Sequence, residues 1–167
     1  ELVRSGKVRI LGCSNESAWG LTKSLWASDV HGLARHHTIQ NNFSLNNRRF
    51  EDELAQVCRR EGVSLIPYSP LAGGVLSGKY NGGAFPEGAR FSLYQHAPKR
   101  QQAMLHRFVN DKTLESTRRY QAIAAELGMS VATMAIAWNK QHDFVASTIV
   151  GATTAEQVPE LLAAEEV

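Results

Sequence analysis

The sequence predicts an α/β fold assembled from βα units, and three observations carry that prediction. Short β-branched, apolar beats alternate with segments whose apolar residues recur at helical spacing. The beats are apolar at nearly every position, as in strands buried on both faces of a parallel sheet. Each beat is followed by uncharged polar residues, at the strand ends where parallel α/β folds bind ligands. Right-handed crossovers between such units leave two architectures open, a doubly wound sheet or part of a (β/α)8 barrel. A complete barrel takes ~250 residues. The 167 residues here hold the strands for half of one.

The first beat is Val8–Cys13, and a helix is predicted over Ser17–Ser28, with Ser14 to Ser17 available as caps. It carries Trp19, Leu21, Leu25 and Trp26; these tryptophans, and Trp138 further on, read as core packing. The second beat, Thr38–Asn41, precedes a helix over Arg49–Glu61. Phe50, Leu54, Val57 and Cys58 share one face of that helix, which stops at Gly62. Val63–Tyr68 is the third beat. Leu71–Val109 then reads as an irregular, functional loop rich in Gly, Pro, Arg and His, because about 15 residues is the usual ceiling for a passive connection. Helices follow over Asp111–Leu127, ending at Gly128, and over Ser130–Gln141, where Ala132, Ala135, Ile136 and Trp138 are apolar. The fourth beat is Ala146–Val150. A last helix, Thr154–Ala164, opens with Thr154 and Gln157 in capping-box register.

Charge and composition exclude several classes. Eighteen Lys+Arg against 16 Asp+Glu leave a net charge of +2, with no basic stripe to hold nucleic acid. The apolar runs fall far short of the ~18 residues that span a bilayer. Cys13 and Cys58 cannot build a disulfide scaffold and read as small core residues in a reducing compartment. Glu1–Arg9 has no signal-peptide core. The expectation is a soluble cytoplasmic protein, part of a longer chain since it opens on Glu1 rather than Met.

Chemistry concentrates at the strand ends. Ser14-Asn15, Gln40-Asn41-Asn42, Tyr68-Ser69-Pro70 and Gly151-Ala152-Thr153-Thr154 follow the four beats in turn. Any one of these is ordinary turn polarity; four together, with an aromatic, point to a ligand floor. Around Gly151–Gln157, a glycine before a helix start reads either as an anion site or as a plain helix cap. Gly73, Gly78 and Lys79 match G-x-x-x-x-G-K, but Tyr80 stands where a P-loop needs Ser or Thr. A phosphate cradle of another kind survives, with Lys79 and Arg90 supplying charge. His31, His36 and His37 precede the second strand with no carboxylate or Cys at ligand spacing, so no metal site is expected. Ser69 lacks the G-x-S-x-G elbow of a hydrolase.

Four stretches, GKVRILGCSN (Gly6–Asn15), IQNNFSLNNR (Ile39–Arg48), GVSLIPYSPLAGGVLSGKY (Gly62–Tyr80) and IVGATTAEQV (Ile149–Val158), together resemble the aldo-keto reductase superfamily. The third is the most specific. The S-P-L-A-G-G variant is similar to the branch that holds bacterial general-stress reductases and potassium-channel β-subunits. The resemblance spans essentially the whole chain, residues 1–167, and covers strands five to eight of the family's (β/α)8 TIM barrel. It implies a C-terminal, cofactor-binding part without the N-terminal half, binding NADP(H) for hydride transfer to a small aldehyde or ketone.

Under the resemblance, Ser14, Asn15 and Gln40 hold the nicotinamide carboxamide and Tyr68 stacks on its ring. Ser69, Pro70, Leu71, Ala72 and Gly73 line the pyrophosphate with Lys79 nearby, and Arg90 meets the 2′-phosphate. Gly151, Thr153, Gln157 and Glu160 contact the adenosine end. The family's catalytic Asp, Tyr, Lys and His have no match here, so no catalytic residue is expected in this chain and the chain alone is expected to be inactive. Leu161 stands where the family usually has Asn, and Pro159 sits at the start of that helix. The alternative implied by the channel-like branch is an NADP(H)-sensing subunit that regulates a partner protein. Unpaired sheet edges are expected to make the isolated chain self-associate.

Overall fold

In the computed structural model, which describes residues 1–167, three parallel strands lie side by side in the order of the chain. They are β1 (Leu11–Ser14), β2 (His36–Gln40) and β3 (Ser64–Leu65). β1 pairs with β2 from Leu11↔His36 to Ser14↔Gln40, with an irregularity after Leu11, and β2 pairs with β3 through Thr38↔Ser64 and Ile39↔Leu65. The predicted α/β class is observed, as βα units on a parallel sheet.

The fourth beat does not form a strand ladder. Residues 144–149 run parallel to β3 through one bridge, Leu65↔Val145, flanked by bonds from Leu65 N to Phe144 O, Ala146 N to Leu65 O and Ile149 N to Pro67 O. β3 is itself shorter than Val63–Tyr68, although Ile66 N and Tyr68 N still donate to Ile39 O and Asn41 O and the bridge Asn42↔Tyr68 prolongs the pairing; Pro67, which has no N–H, faces the bridged segment. β1 and β2 are each displaced from the expected Val8–Cys13 and Thr38–Asn41. His36 and His37 consequently lie in β2, and His31 is the last residue of α1, rather than in a loop.

The helix α1 (Ala18–His31) starts at Ser17, whose hydroxyl accepts the Gly20 N–H, and ends at Gly32 in the left-handed conformation. The expected Arg49–Glu61 helix divides into a 3-10 turn, Arg49–Glu51, and α2 (Leu54–Glu61). The stretch Leu71–Val109 is not irregular throughout: it holds α3 (Arg90–Tyr94) and α4 (Lys99–Phe108) beyond two 3-10 segments. α5 (Asp111–Glu126) is closed by an Asn110/Thr113 capping box, and α6 (Val131–Lys140) by Ser130. The expected Thr154–Ala164 helix shrinks to α7 (Val158–Leu162) between 3-10 turns, with Pro159 tolerated in its first turn. Thr154 makes no side-chain cap; Gln157 Oε1 instead accepts from the N–H and hydroxyl of Thr153, at 2.9 and 3.2 Å.

One core cluster joins Leu21 and Leu25 of α1, Ile39 and Leu65 of the sheet, Cys58 of α2 and the rings of Phe43, Phe50 and Phe144. A second packs Val75, Leu76, Tyr80, Phe91 and Leu105 under the long connection. Trp138 packs against the first cluster, but Trp19 and Trp26 do not join it: they are 76% and 51% exposed. α1 buries Leu21, Leu25 and Ser28, and its opposite face, with Trp19, Trp26 and Val30, meets no second layer of this chain; Leu33, just past the Gly32 cap, is exposed as well. The outer edge of β1 is likewise unpaired.

Cys58, 1% exposed, has its thiol pushed from 9.0 to about 11 by burial. Between those values the unfolded state alone releases the proton, so stability falls as pH rises from 9.0 toward 11, by roughly 3 kcal/mol at most. Urea unfolding across that window is expected to show a smaller loss in Cys58→Ala than in the native chain.

Candidate functional site

The carboxyl ends of β1, β2 and β3 come together as a polar floor, and a hydrogen-bond chain crosses it. The Tyr68 hydroxyl donates to Asn15 Oδ1 at 2.8 Å, and Asn15 Nδ2 donates to Ser14 Oγ at 3.1 Å. Ser14 Oγ donates in turn to the Gln40 carbonyl at 2.9 Å, which also accepts the Asn15 N–H at 3.0 Å. Four sequence-predicted residues therefore meet. The phenol is tethered and the Asn15 amide oriented, while Ser14, Asn15 and Gln40 remain exposed to solvent. The floor is open, with the Tyr68 ring half-buried at its edge.

Backbone strain marks the same place. Only three non-glycine residues adopt positive φ: Asn15 (58°), Ser69 (55°) and Ala72 (50°). All three follow β1 or β3; left-handed conformations cost about 1–3 kcal/mol each and persist only where the surrounding structure enforces them. Asn15 accepts this readily, since Asn tolerates the left-handed region. Ser69 and Ala72 do so in a turn that continues through Gly73 and Gly74, at φ 68° and 97°.

Tyr68, Ser69, Gly73 and Arg90 line one cavity of about 40 Å³, joined by Asn42 from the end of β2 and by Met104, Arg107 and Phe108 of α4. Arg90, the first residue of α3, is exposed and makes no ion pair, unlike Arg48, whose partner is Glu51. The contribution of α4 was missed in the sequence because Leu71–Val109 reads as a loop. The amphipathic spacing of Met104, Leu105 and Phe108 was the available signal.

Other expected residues lie elsewhere. The side chains of Pro70 and Ala72 are buried, and that of Leu71 packs against the second and third core clusters, so these three can present backbone but not side chain to a ligand. Lys79 lies on the Gly74 side of the turn, its Nζ 5.9 Å from the Tyr80 ring centroid, and is not on the Tyr68 cavity. Gly151 and Thr153 are exposed, beyond the Ile149–Pro67 hydrogen bond that places their segment beside β3. Gly151 has no positive φ and open space around it, so no backbone constraint demands glycine there. Gln157 is tied to Thr153; the Glu160 carbonyl accepts the Thr133 hydroxyl at 2.9 Å, leaving its carboxylate exposed.

The aldo/keto reductase family profile matches residues 1–167. The chain belongs to the aldo/keto reductase family. It is 43% identical over 158 residues to Protein tas of Escherichia coli (strain K12), covering 95% of this chain and 43% of that protein. A probable voltage-gated potassium channel subunit beta of Arabidopsis thaliana is 34% identical over 157 residues, 93% of this chain and 46% of that protein. The NADH-specific methylglyoxal reductase of Escherichia coli (strain K12) is 30% identical over 164 residues, 98% of this chain and 46% of that protein. The chain spans less than half the length of each of these relatives. The family implies a (β/α)8 barrel; the sheet here shows three adjacent parallel strands and a fourth, bridged segment.

Proposed function

We propose that this chain is the C-terminal, cofactor-binding part of an NADPH-dependent aldo/keto reductase that reduces a small aldehyde or ketone. The observation that carries the reading is the Tyr68–Asn15–Ser14–Gln40 hydrogen-bond chain across three strand ends. The residues suit the cofactor chemically. A tethered phenol ring offers a flat face to a flat heterocycle, and an oriented amide can donate to and accept from a carboxamide. The exposed, unpaired Arg90 on the same cavity suits a phosphate. When bound, the cofactor supplies the hydride. Asn15, Ser14 and Gln40 would hold its carboxamide, Tyr68 would orient the ring, and the backbone of Ser69–Gly73 would follow the pyrophosphate. Gly151, Thr153, Gln157 and Glu160 would take the adenosine end, with Lys79 contributing only long-range positive potential.

No residue of this chain is assigned to protonate the carbonyl oxygen, so turnover would depend on groups outside residues 1–167. The bare edge of β1 and the apolar face of α1 are the surfaces through which the isolated chain would self-associate. A second reading, an NADP(H)-sensing subunit acting on a partner protein, is favoured by the similarity to a potassium channel subunit beta. It uses the same cofactor residues.

The test is a fluorescence titration of the protein with NADPH and NADH. The expected result is saturable NADPH binding, weaker NADH binding, and a drop of about ten- to a hundredfold in affinity for Tyr68→Ala, equivalent to roughly 1.4–3 kcal/mol. A Tyr68→Ala protein that binds NADPH as tightly as the native one would sink the assignment.

A further inference from the structure

A larger cavity, of about 160 Å³, lies between the turn after β2 and the junction of α4 with α5. Its polar lining is Ser44, Asn46, Asn47, Arg49, Arg107 and Thr113, and the assigned cofactor residues contribute only Ala72 to it. We propose that this cavity is a second site, for a compact oxyanion of the phosphate type.

Much of the lining is locked by the protein itself. Ser44 and Asn47 pair through their backbones, N–H to carbonyl, at 3.1 and 2.9 Å. Asn46 Oδ1 accepts the Ser116 hydroxyl at 2.8 Å, tying the turn to α5, and Asn47 Nδ2 donates to Asn42 Oδ1 at 2.8 Å. Thr113 Oγ1 donates to the Phe108 carbonyl at 2.7 Å. The walls are therefore preorganised.

What remains unused is a set of donors. Ser44 is 0% exposed, yet its hydroxyl has no hydrogen-bond partner, an arrangement that is unfavourable in a buried position unless a ligand or water answers it. Arg49 and Arg107 line the same space from opposite elements, and neither makes an ion pair, although the adjacent Arg48 is neutralised by Glu51 at 2.6 Å. No carboxylate lines the cavity. Two unpaired guanidinium groups and a buried hydroxyl donor describe an oxyanion site, and the volume holds about five water-sized groups, the heavy-atom count of phosphate. Arg107 and Phe108 also line the Tyr68 cavity, so the two sites share a wall. The proposal does not depend on the cofactor assignment.

Calorimetric titration with inorganic phosphate and with glycerol 1-phosphate, at constant ionic strength set by chloride, tests it. Saturable phosphate binding is expected, weakened roughly tenfold in Arg49→Gln and Arg107→Gln and several-fold in Ser44→Ala. It should be retained in Arg90→Gln, which alters only the Tyr68 cavity. Binding of both probes would identify the anionic end of a larger molecule, and binding of inorganic phosphate alone a free ion; either supports the site. No saturable binding by a native chain whose circular dichroism shows it folded would overturn the proposal. Binding abolished by Arg90→Gln but untouched by Arg49→Gln would overturn it equally, by moving the anion to the cofactor cavity.

Discussion

Phe43→Ala is expected to destabilise the chain by about 3–5 kcal/mol, the range for removing a buried ring from a core. Phe43 is 0% exposed, with ring centroids 4.9 Å from Trp138, 5.1 Å from His142, 5.6 Å from Phe144 and 6.1 Å from Phe50. Each aromatic contact adds about 0.5–1.5 kcal/mol beyond area burial, and several of them come from different parts of the chain. The ring thus joins the turn after β2 to α6 and to the bridged segment that follows it. Against a typical total of about 5–15 kcal/mol, the loss takes a large share of all the stability present. Urea unfolding measures it, with Phe43→Leu expected to lose less than half as much. The neighbouring residues give the substitution a functional reach: Asn42 lines the Tyr68 cavity and Ser44 the oxyanion cavity. A Phe43→Ala loss below about 1 kcal/mol would mean that this cluster does not set the position of the turn.

The fold was legible where a local signal and its tertiary partner agreed. Ser17 and Ser130 cap the helices their positions suggested, and Gly62 ends α2 in the left-handed conformation. The fourth beat failed because a β-branched run states a preference for extended backbone, whereas a ladder needs a partner edge with free donors. Here that edge contains Pro67, which can only accept, as its carbonyl does from Ile149 N. Trp19 and Trp26 failed for a similar reason. Helical spacing identifies which residues share a face, but not whether a second layer exists to bury it.

The site was legible in its membership and obscure in its wiring. Strand-end polarity and the resemblance both selected Ser14, Asn15, Gln40 and Tyr68, and the structure links them by hydrogen bonds. No periodicity could reveal that Pro70 and Ala72 turn their side chains inward, because that depends on left-handed backbone at Ser69, Ala72 and Gly73. Nor could it reveal Arg107 beside Arg49. Those arginines are far apart in sequence and line one cavity only in the folded chain.

Gly73→Ala is expected to cost about 2–5 kcal/mol, the sum of left-handed strain and overpacking. The residue has φ +68°, and a Cβ there would lie 2.7 Å from Cζ and 2.8 Å from Cε2 of Phe91. Whether that contact can relax depends on how firmly Phe91 is held. Its ring is 1% exposed, stacked on Phe108 at 5.7 Å and flanked by Tyr80 and Tyr94 at 5.6 and 5.7 Å. Its backbone N–H donates to the Tyr80 hydroxyl at 3.2 Å, which anchors the backbone of Phe91, while the three neighbouring rings fill the space into which its own ring would swing. The turn must therefore move, and with it Ser69 and the mouth of the cavity that Gly73 shares with Tyr68 and Arg90. Gly151→Ala is the matched control: ordinary φ and open space predict a change within about 0.5 kcal/mol. Thermal unfolding of both variants, followed by NADPH titration of the Gly73→Ala protein at a temperature where it stays folded, separates the two effects. Lost stability with unchanged NADPH affinity would place the cofactor away from this turn. Equal stability in the two variants would show that Phe91 yields and that the turn is not held as its packing implies.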